Sequence, residues 1–262
     1  MPADCTRDIL CFFEGIVFSM KRFLLSVALI FFLVHTPMAQ NMTYGGLFPT
    51  IDHSVELSKR IGYNVYVFDA IKPYANTIND VTDASRSLYI YGEAGLTYAI
   101  SKQLSITASY VYERQNPFRN SYRNENRAFQ QLTLKLPLGK TELKQRLRFD
   151  ERFIQNRETG GTPFTHRLRY LIGLKRPIRN DKMYFFLYSE AFFNTTSGAQ
   201  YVFNENWSAA QIGFKLNGWS SLETGLLYVG WINNRHADWL NQFYLQVSWV
   251  THFDLAENRQ DR

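Results

Sequence analysis

The stretch "LKQRLRFDERF", Leu143 to Phe153, decides the fold. Lys144, Arg146, Arg148, Asp150 and Arg152 take every second position, with Leu143, Leu147, Phe149 and Phe153 between them. On a helix, side chains three or four apart are neighbours, so Leu143 and Leu147 would share a face that Phe149 and Phe153 would leave. With a period of two, all four apolar side chains point one way and all five charges the other. The segment reads as a strand with one apolar and one charged face.

Similar alternation continues along the chain, in segments at about 50–58, 62–72, 87–99, 103–115, 125–137, 141–155, 164–176, 182–194, 206–217, 220–233 and 240–254. Most are longer than the roughly five or six residues of globular strands and reach the roughly ten that cross a bilayer at a tilt. Turn signals separate them: Pro73, Pro117, Gly139-Lys140, Gly160-Gly161, Pro177, Asn217-Gly218 and Asn233-Asn234. Short and longer connections alternate, as do the turns and loops of outer-membrane barrels. The expected fold class is all-β, a single antiparallel up-and-down transmembrane-type β-barrel. Bacterial single-chain barrels use an even number of strands. The expectation is therefore twelve strands, with "NMTYGGLFP" (41–49) supplying a short extra one, or ten if the first segment lies outside the barrel.

One hairpin can be registered from the sequence. A two-residue turn at Gly139-Lys140 pairs Leu138 with Thr141, Leu136 with Leu143 and Leu132 with Leu147. On the other face Gln131 meets Arg148, Phe129 meets Asp150, and Arg127 meets Arg152. Asp150 is then the diagonal neighbour of Arg127, placed to relieve the like-charge pair. A slip of one residue would invert both faces.

The N-terminus adds a location. "MKRFLLSVALIFFLVHTPMAQ", Met20 to Gln40, has two basic residues, an apolar run and a small residue near its end, the layout of a secretory signal peptide. Its apolar run, Phe23 to Val34, is too short to span as a helix, which takes about twenty residues. Residues 1–19 carry Asp4, Asp8 and Glu14 where a basic region belongs, and are read as an over-extended start. The expected organisation is 1–19 over-extended start, 20–39 signal peptide, 40–254 barrel and 255–262 polar tail. Cys5 and Cys11 both precede the cleavage point beside Ala39 or Gln40, so the mature chain has no thiol for a disulfide, a nucleophile or a metal. The removed part is charge-neutral, so the formal net charge of +6 is unchanged.

Alternation alone leaves open which face is inside. A soluble lipocalin-like barrel turns its apolar face inward, and a membrane barrel turns it outward. Export, the near-continuous apolar face and aromatics toward strand ends (Tyr110, Tyr112, Phe192, Phe193, Trp219, Trp231, Phe253) favour the membrane arrangement. The chain is 16% aromatic and its mean hydropathy is only −0.28, compatible with alternating strands. Glu151 falls on the apolar face, near the end expected to be extracellular, where a charge costs least.

"NENRAFQQLTLKL", "LKQRLRFDERF", "HRLRYLIGL", "FFLYSEAFFN" and "ETGLLYVGW" follow one another in an order that resembles the domain of unknown function 2490 family. The matching residues are Asn126-Arg127 with Gln130-Gln131, Arg146 to Phe153, Arg167 with Arg169, and Tyr188 with Glu190. Where that family usually has Asn-Arg before the penultimate hairpin, this chain has "NENWSAA". The resemblance implies an uncharacterised protein similar in outline to the outer-membrane barrels of Gram-negative bacteria.

The candidate site is a lumen charge network: Glu125, Arg127, Arg146, Arg148, Asp150, Arg152, Arg167, Arg169 and Glu190. Charges enclosed in a barrel must be paired or hydrated, so a structural ion network competes with an anion-selective lining. His53, His166, His236 and His252 are scattered, and no nucleophile elbow or spaced ligand cluster appears. No catalytic residue, cofactor or metal is expected. The function expected is an outer-membrane barrel, pore-like or structural, in the cell outer membrane. The alternatives are a lipid-modifying enzyme on a barrel scaffold and a soluble periplasmic barrel binding an apolar ligand. Expected partners are outer-membrane lipid, the barrel assembly machinery, and lipopolysaccharide (through Arg119, Arg123 and Arg235) or small anionic solutes. Export argues against nucleic acid.

Overall fold

The computed structural model describes residues 43–73, 76–78, 81–83, 87–178, 181–233 and 238–256. The expected start and signal peptide, both cysteines, Arg235, His236 and the tail beyond Ala256 lie outside the described residues. Thirteen strands and no helix are present among the described residues. They are β1 (Thr43–Glu56), β2 (Ile61–Ile71), β3 (Asn76–Ile78), β4 (Val81–Asp83), β5 (Ser87–Ala99), β6 (Leu104–Gln115) and β7 (Arg123–Leu138). Then come β8 (Thr141–Ile154), β9 (Phe164–Pro177), β10 (Met183–Asn194), β11 (Phe203–Lys215), β12 (Ser220–Asn233) and β13 (Asp238–Asp254).

Eleven of these close into one barrel, in the order β1-β13-β12-β11-β10-β9-β8-β7-β6-β5-β2, and β2 returns to β1. Strands β3 and β4 form a separate hairpin within the β2–β5 connection. The expectation of twelve or ten strands is corrected by this count. Residues 43–49 are not a separate strand: they are the first half of β1, and they stay in the barrel. An odd up-and-down count leaves the first and last strands running the same way. They close through a parallel ladder, in register from Thr43–Asn241 to Glu56–Asp254. All the other barrel pairs are antiparallel.

Two features of β1 that signal a break in sequence are absorbed at this seam. Pro49 has no N–H to donate; it sits opposite Val247 of β13, and the ladder to β2 skips Phe48 and Pro49. Gly46 lies where a Cβ would collide with the Ile71 carbonyl oxygen and crowd the Tyr244 ring, so this glycine permits close approach rather than a turn.

The β7–β8 hairpin has the register read from the sequence, from Leu138–Thr141 through Leu132–Leu147 to Arg127–Arg152. Gly139 carries a positive φ of 65°, as the first central residue of a type II′ hairpin turn requires. The short connections 57–60, 100–103, 139–140 and 216–219 gather at one end of the barrel and the longer ones 116–122, 155–163 and 195–202 at the other, while 234–237 lies outside the described residues.

Alternation sorts the side chains. Leu147, Phe149 and Phe153 of β8 are exposed on the outer wall, whereas Arg148 and Asp150 are buried inside. Leu96, Ile106, Leu132, Ile212, Leu226, Leu245 and Trp249 extend the apolar outer wall, with Leu226 65% exposed. Tyr110 and Tyr112 also point outward, near the long-loop end of β6, and Trp219 stacks on Phe253 at the short-turn end, centroids 4.9 Å apart. Phe192 and Trp231 do not belong to such an outer ring. Their parity turns them inward, where Phe192 is buried and Trp231 packs on the core.

The parallel seam is directly testable. In a chain with Cys5 and Cys11 replaced by Ser, Thr50→Cys and Ser248→Cys should form an intramolecular disulfide, because neighbouring in-register positions lie within bridging distance. Mass spectrometry showing both thiols free after oxidation would contradict the odd closure.

Candidate functional site: a charged and aromatic lumen

The inward positions of β5 to β11 carry six arginines and six carboxylates that pair with one another. Asp150 is the hub. It is fully buried, and Arg148 (2.6 Å), Arg167 (3.2 Å), Arg169 (3.8 Å) and Arg127 (3.9 Å) surround it. Glu190 accepts both arms of Arg169, at 2.8 and 2.9 Å, and also binds Arg146 at 2.7 Å. Such two-point guanidinium–carboxylate contacts fix orientation as well as charge.

The facing pair Arg127 and Arg152 is held chiefly by Glu125. Both guanidiniums donate to it, Arg152 at 2.7 Å to each oxygen. Asp150, the diagonal partner expected from the sequence, is the more distant contact of Arg127. The structure thus brings Glu125, Arg127, Arg146, Arg148, Asp150, Arg152, Arg167, Arg169 and Glu190 into one connected cluster.

Three acceptors complete it that the sequence reading did not name. Glu93 binds Arg148 at 3.2 Å from β5, Glu113 binds Arg127 at 3.2 Å from β6, and Glu205 binds Arg167 at 3.0 Å from β11. The period-two parity of "YGEAG" and "YVYER" was the available signal for the first two. Glu205 lies one residue before the alternating segment expected there.

An aromatic layer packs beside it in the lumen. Phe48 stacks on Phe68 at 4.5 Å, and Phe68 on Tyr91 at 4.6 Å. Trp207 on β11 meets Phe68 on β2 across the lumen, with ring centroids 6.0 Å apart. Tyr91 joins the two parts: its hydroxyl donates to Glu93 at 2.7 Å and accepts from Arg148 at 3.3 Å. The Arg148 guanidinium lies 3.4 Å from the Phe129 ring centre, and Arg169 lies 4.3 Å from that of Phe192, contacts that favour desolvated cations.

A family model described as a protein of unknown function, DUF2490, matches residues 53–242, well over half of the chain. The chain belongs to the DUF2490 family. No curated protein and no solved structure matches it. The DUF2490 match spans β2 to β12 and includes every charged residue of the lumen network.

Two further clusters lie in this DUF2490 barrel. At the short-turn mouth, the parallel seam sets Ser54 beside His252. Ser54 Oγ lies 3.0 Å from His252 Nδ1, and His252 Nε2 lies 3.5 Å from Glu56 Oε1, with His252 and Glu56 both more than half exposed. His53 bonds Thr251 at 2.7 Å, and His166 stacks on Phe149. Among the described residues, no group of His, Cys, Asp and Glu is arranged to hold a metal ion. Around the same mouth, Lys135, Lys144, Lys175 and Lys215 occupy inward positions.

Removing one member of a buried ion network leaves its partners uncompensated, at a cost of roughly 3–5 kcal/mol. Asp150→Asn should therefore lower the stability of the folded barrel far more than Glu205→Gln, which touches one arginine and is partly exposed. Urea unfolding followed by tryptophan fluorescence compares them; equal losses would remove Asp150 from its central place.

Proposed function

We propose that this DUF2490 chain is an outer-membrane β-barrel with a closed lumen, whose role is structural rather than conductive. The observation that carries the proposal is the outer wall. Large apolar side chains cover it on strand after strand, while the arginine–carboxylate network is turned inward. An apolar surface of that extent marks an interaction with lipid or another apolar partner, and alternating apolar-out, polar-in strands are the pattern of membrane barrels.

Closure is supported by the lumen's contents. Its arginines are neutralised pairwise, and aromatic rings from opposite walls meet across it. An anion path needs unpaired cations with room for water around them, and Arg148 and Arg127 are buried instead. The protein should fractionate with outer membranes, require detergent for extraction, and insert into planar bilayers without stepwise conductance. Recovery in the soluble periplasm would refute the membrane setting; steady anion-selective channels would refute closure.

One observation favours a second, hydrolytic reading. Ser54, His252 and Glu56 have the order of nucleophile, base and orienting acid. Ser54 Oγ also lies 3.3 Å from the Thr251 carbonyl oxygen, an acceptor that competes with His252 for its proton. A fluorophosphonate probe that labels the protein, and fails on Ser54→Ala, would establish this reading; no labelling of the folded barrel would remove it.

A further inference from the structure

The lumen arginines cancel against their carboxylates, six with six. The short-turn half of the lumen is different: inward carboxylates Asp52 of β1 and Glu223 of β12 share it with a larger number of lysines. On β7, β8 and β9 the lumen arginines other than Arg146 occupy the half nearer the long loops, and the inward positions near the short turns hold Lys135, Lys144 and Lys175. Lys215 of β11 adds a fourth, and Lys102 and Lys140 stand on the adjoining turns. Among the described residues, none of these amines has a carboxylate oxygen within the 4.0 Å that defines an ion pair.

Lys135 faces Lys144 directly across the β7–β8 hairpin. Like charges in that position destabilise an antiparallel pair. The other like-charge pair of this hairpin, Arg127 and Arg152, is bridged directly by Glu125, whereas Glu142, two residues from Lys144 on the same face, makes no ion pair with it. Two adjoining open hollows lie at this mouth, the first touching Lys135 and neither touching Lys144. One, of about 300 Å³, is bordered by Lys102, Lys135 and Lys140; the other, of about 210 Å³, by Lys140, Lys175 and Lys215. Lys175 is held at the wall of the second by the Tyr184 ring, 3.8 Å below its amine, and the Tyr184 hydroxyl is occupied by Glu223 and Ser221.

We propose that these cavities form a binding site for a multiply charged phosphate group, a pyrophosphate or a phosphomonoester. Lysines act as point-charge partners of phosphate, and here they surround a space open to the short-turn mouth. Glu142 borders both cavities and Asp181 the second. Their negative charge leaves little gain for a monovalent anion, whereas a divalent or higher anion spans cations on both sides of Glu142. The free-anion arm stands apart from the bilayer reading, since it involves only the mouth; the headgroup arm rests on that reading. The same phosphate chemistry is offered by a free anion and by a phosphomonoester lipid headgroup.

Calorimetry on the full chain in zwitterionic detergent, with inorganic pyrophosphate as titrant, tests the free anion. Nanodiscs with and without phosphatidic acid test the headgroup. Losing two charge-assisted contacts should weaken whichever binds by tenfold or more in Lys135→Gln/Lys175→Gln. Lys59→Gln, at the same end but outside both cavities, should bind as the unaltered protein does. Far-ultraviolet circular dichroism confirms that the variants keep the barrel. Pyrophosphate binding lost in the double variant assigns a soluble ligand. Phosphatidic acid enrichment lost in the double variant, without pyrophosphate binding, assigns a headgroup. No binding of either probe, or equal weakening by Lys59→Gln, would overturn the site.

Discussion

Asp150 is the point on which the rest of the barrel depends. A carboxylate buried inside a barrel is tolerated only when cations replace the water it gives up. Four arginines on three strands do so. Each has a further acid partner or ring contact, so the network extends from β5 to β11 without a loose end at its centre. Such a network is strong when complete and costly when broken. It also fixes register: moving β8 by one residue would place Arg148 and Asp150 on the outer wall and strand their partners inside.

The aromatic side of the lumen follows from the same closure. Eleven strands leave a space that one ring of side chains does not fill, and the rings of Phe48, Phe68, Tyr91 and Trp207 reach inward to meet one another. Tyr91 belongs to both halves, stacking on Phe68 and bonding Glu93 and Arg148. The parallel β1–β13 seam, the consequence of the odd count, places Phe48 against Tyr244 inside and aligns Ser54 with His252 at the mouth. At the short-turn end Lys135, Lys144, Lys175 and Lys215 share the lumen with Asp52, Glu142 and Glu223, and among the described residues these lysines have no carboxylate within ion-pair distance.

Much of this was legible in sequence because period two is strict where one face is charged. "LKQRLRFDERF" and "NRAFQQLTLKL" give strand type, facing and register together, since a wrong register would bury leucine against arginine on both faces. The strand count was not legible. Gly45-Gly46 and Pro49 carry the composition of a turn, and only the three-dimensional approach of Ile71 and Tyr244 shows them inside a continuous strand. The Arg127–Arg152 conflict was visible, but its principal partner was not: Glu125 sits beside Arg127 on the same face, a contact favoured by side-chain reach rather than by the diagonal rule. Phe192 and Trp231 were misplaced because being near a strand end says nothing about parity. The seam that joins Ser54 to His252 spans nearly two hundred residues, and no local pattern encodes it.

The central claim is that apolar side chains meet lipid while charge and aromatic packing fill the interior. Quenching by brominated lipids tests it most directly, in variants that keep one tryptophan and replace the other four with Phe. Trp249 lies on the outer wall and Trp207 in the lumen. The account predicts strong quenching of Trp249 and weak quenching of Trp207. Equal quenching of the two, or none of Trp249 in a folded barrel, would contradict it.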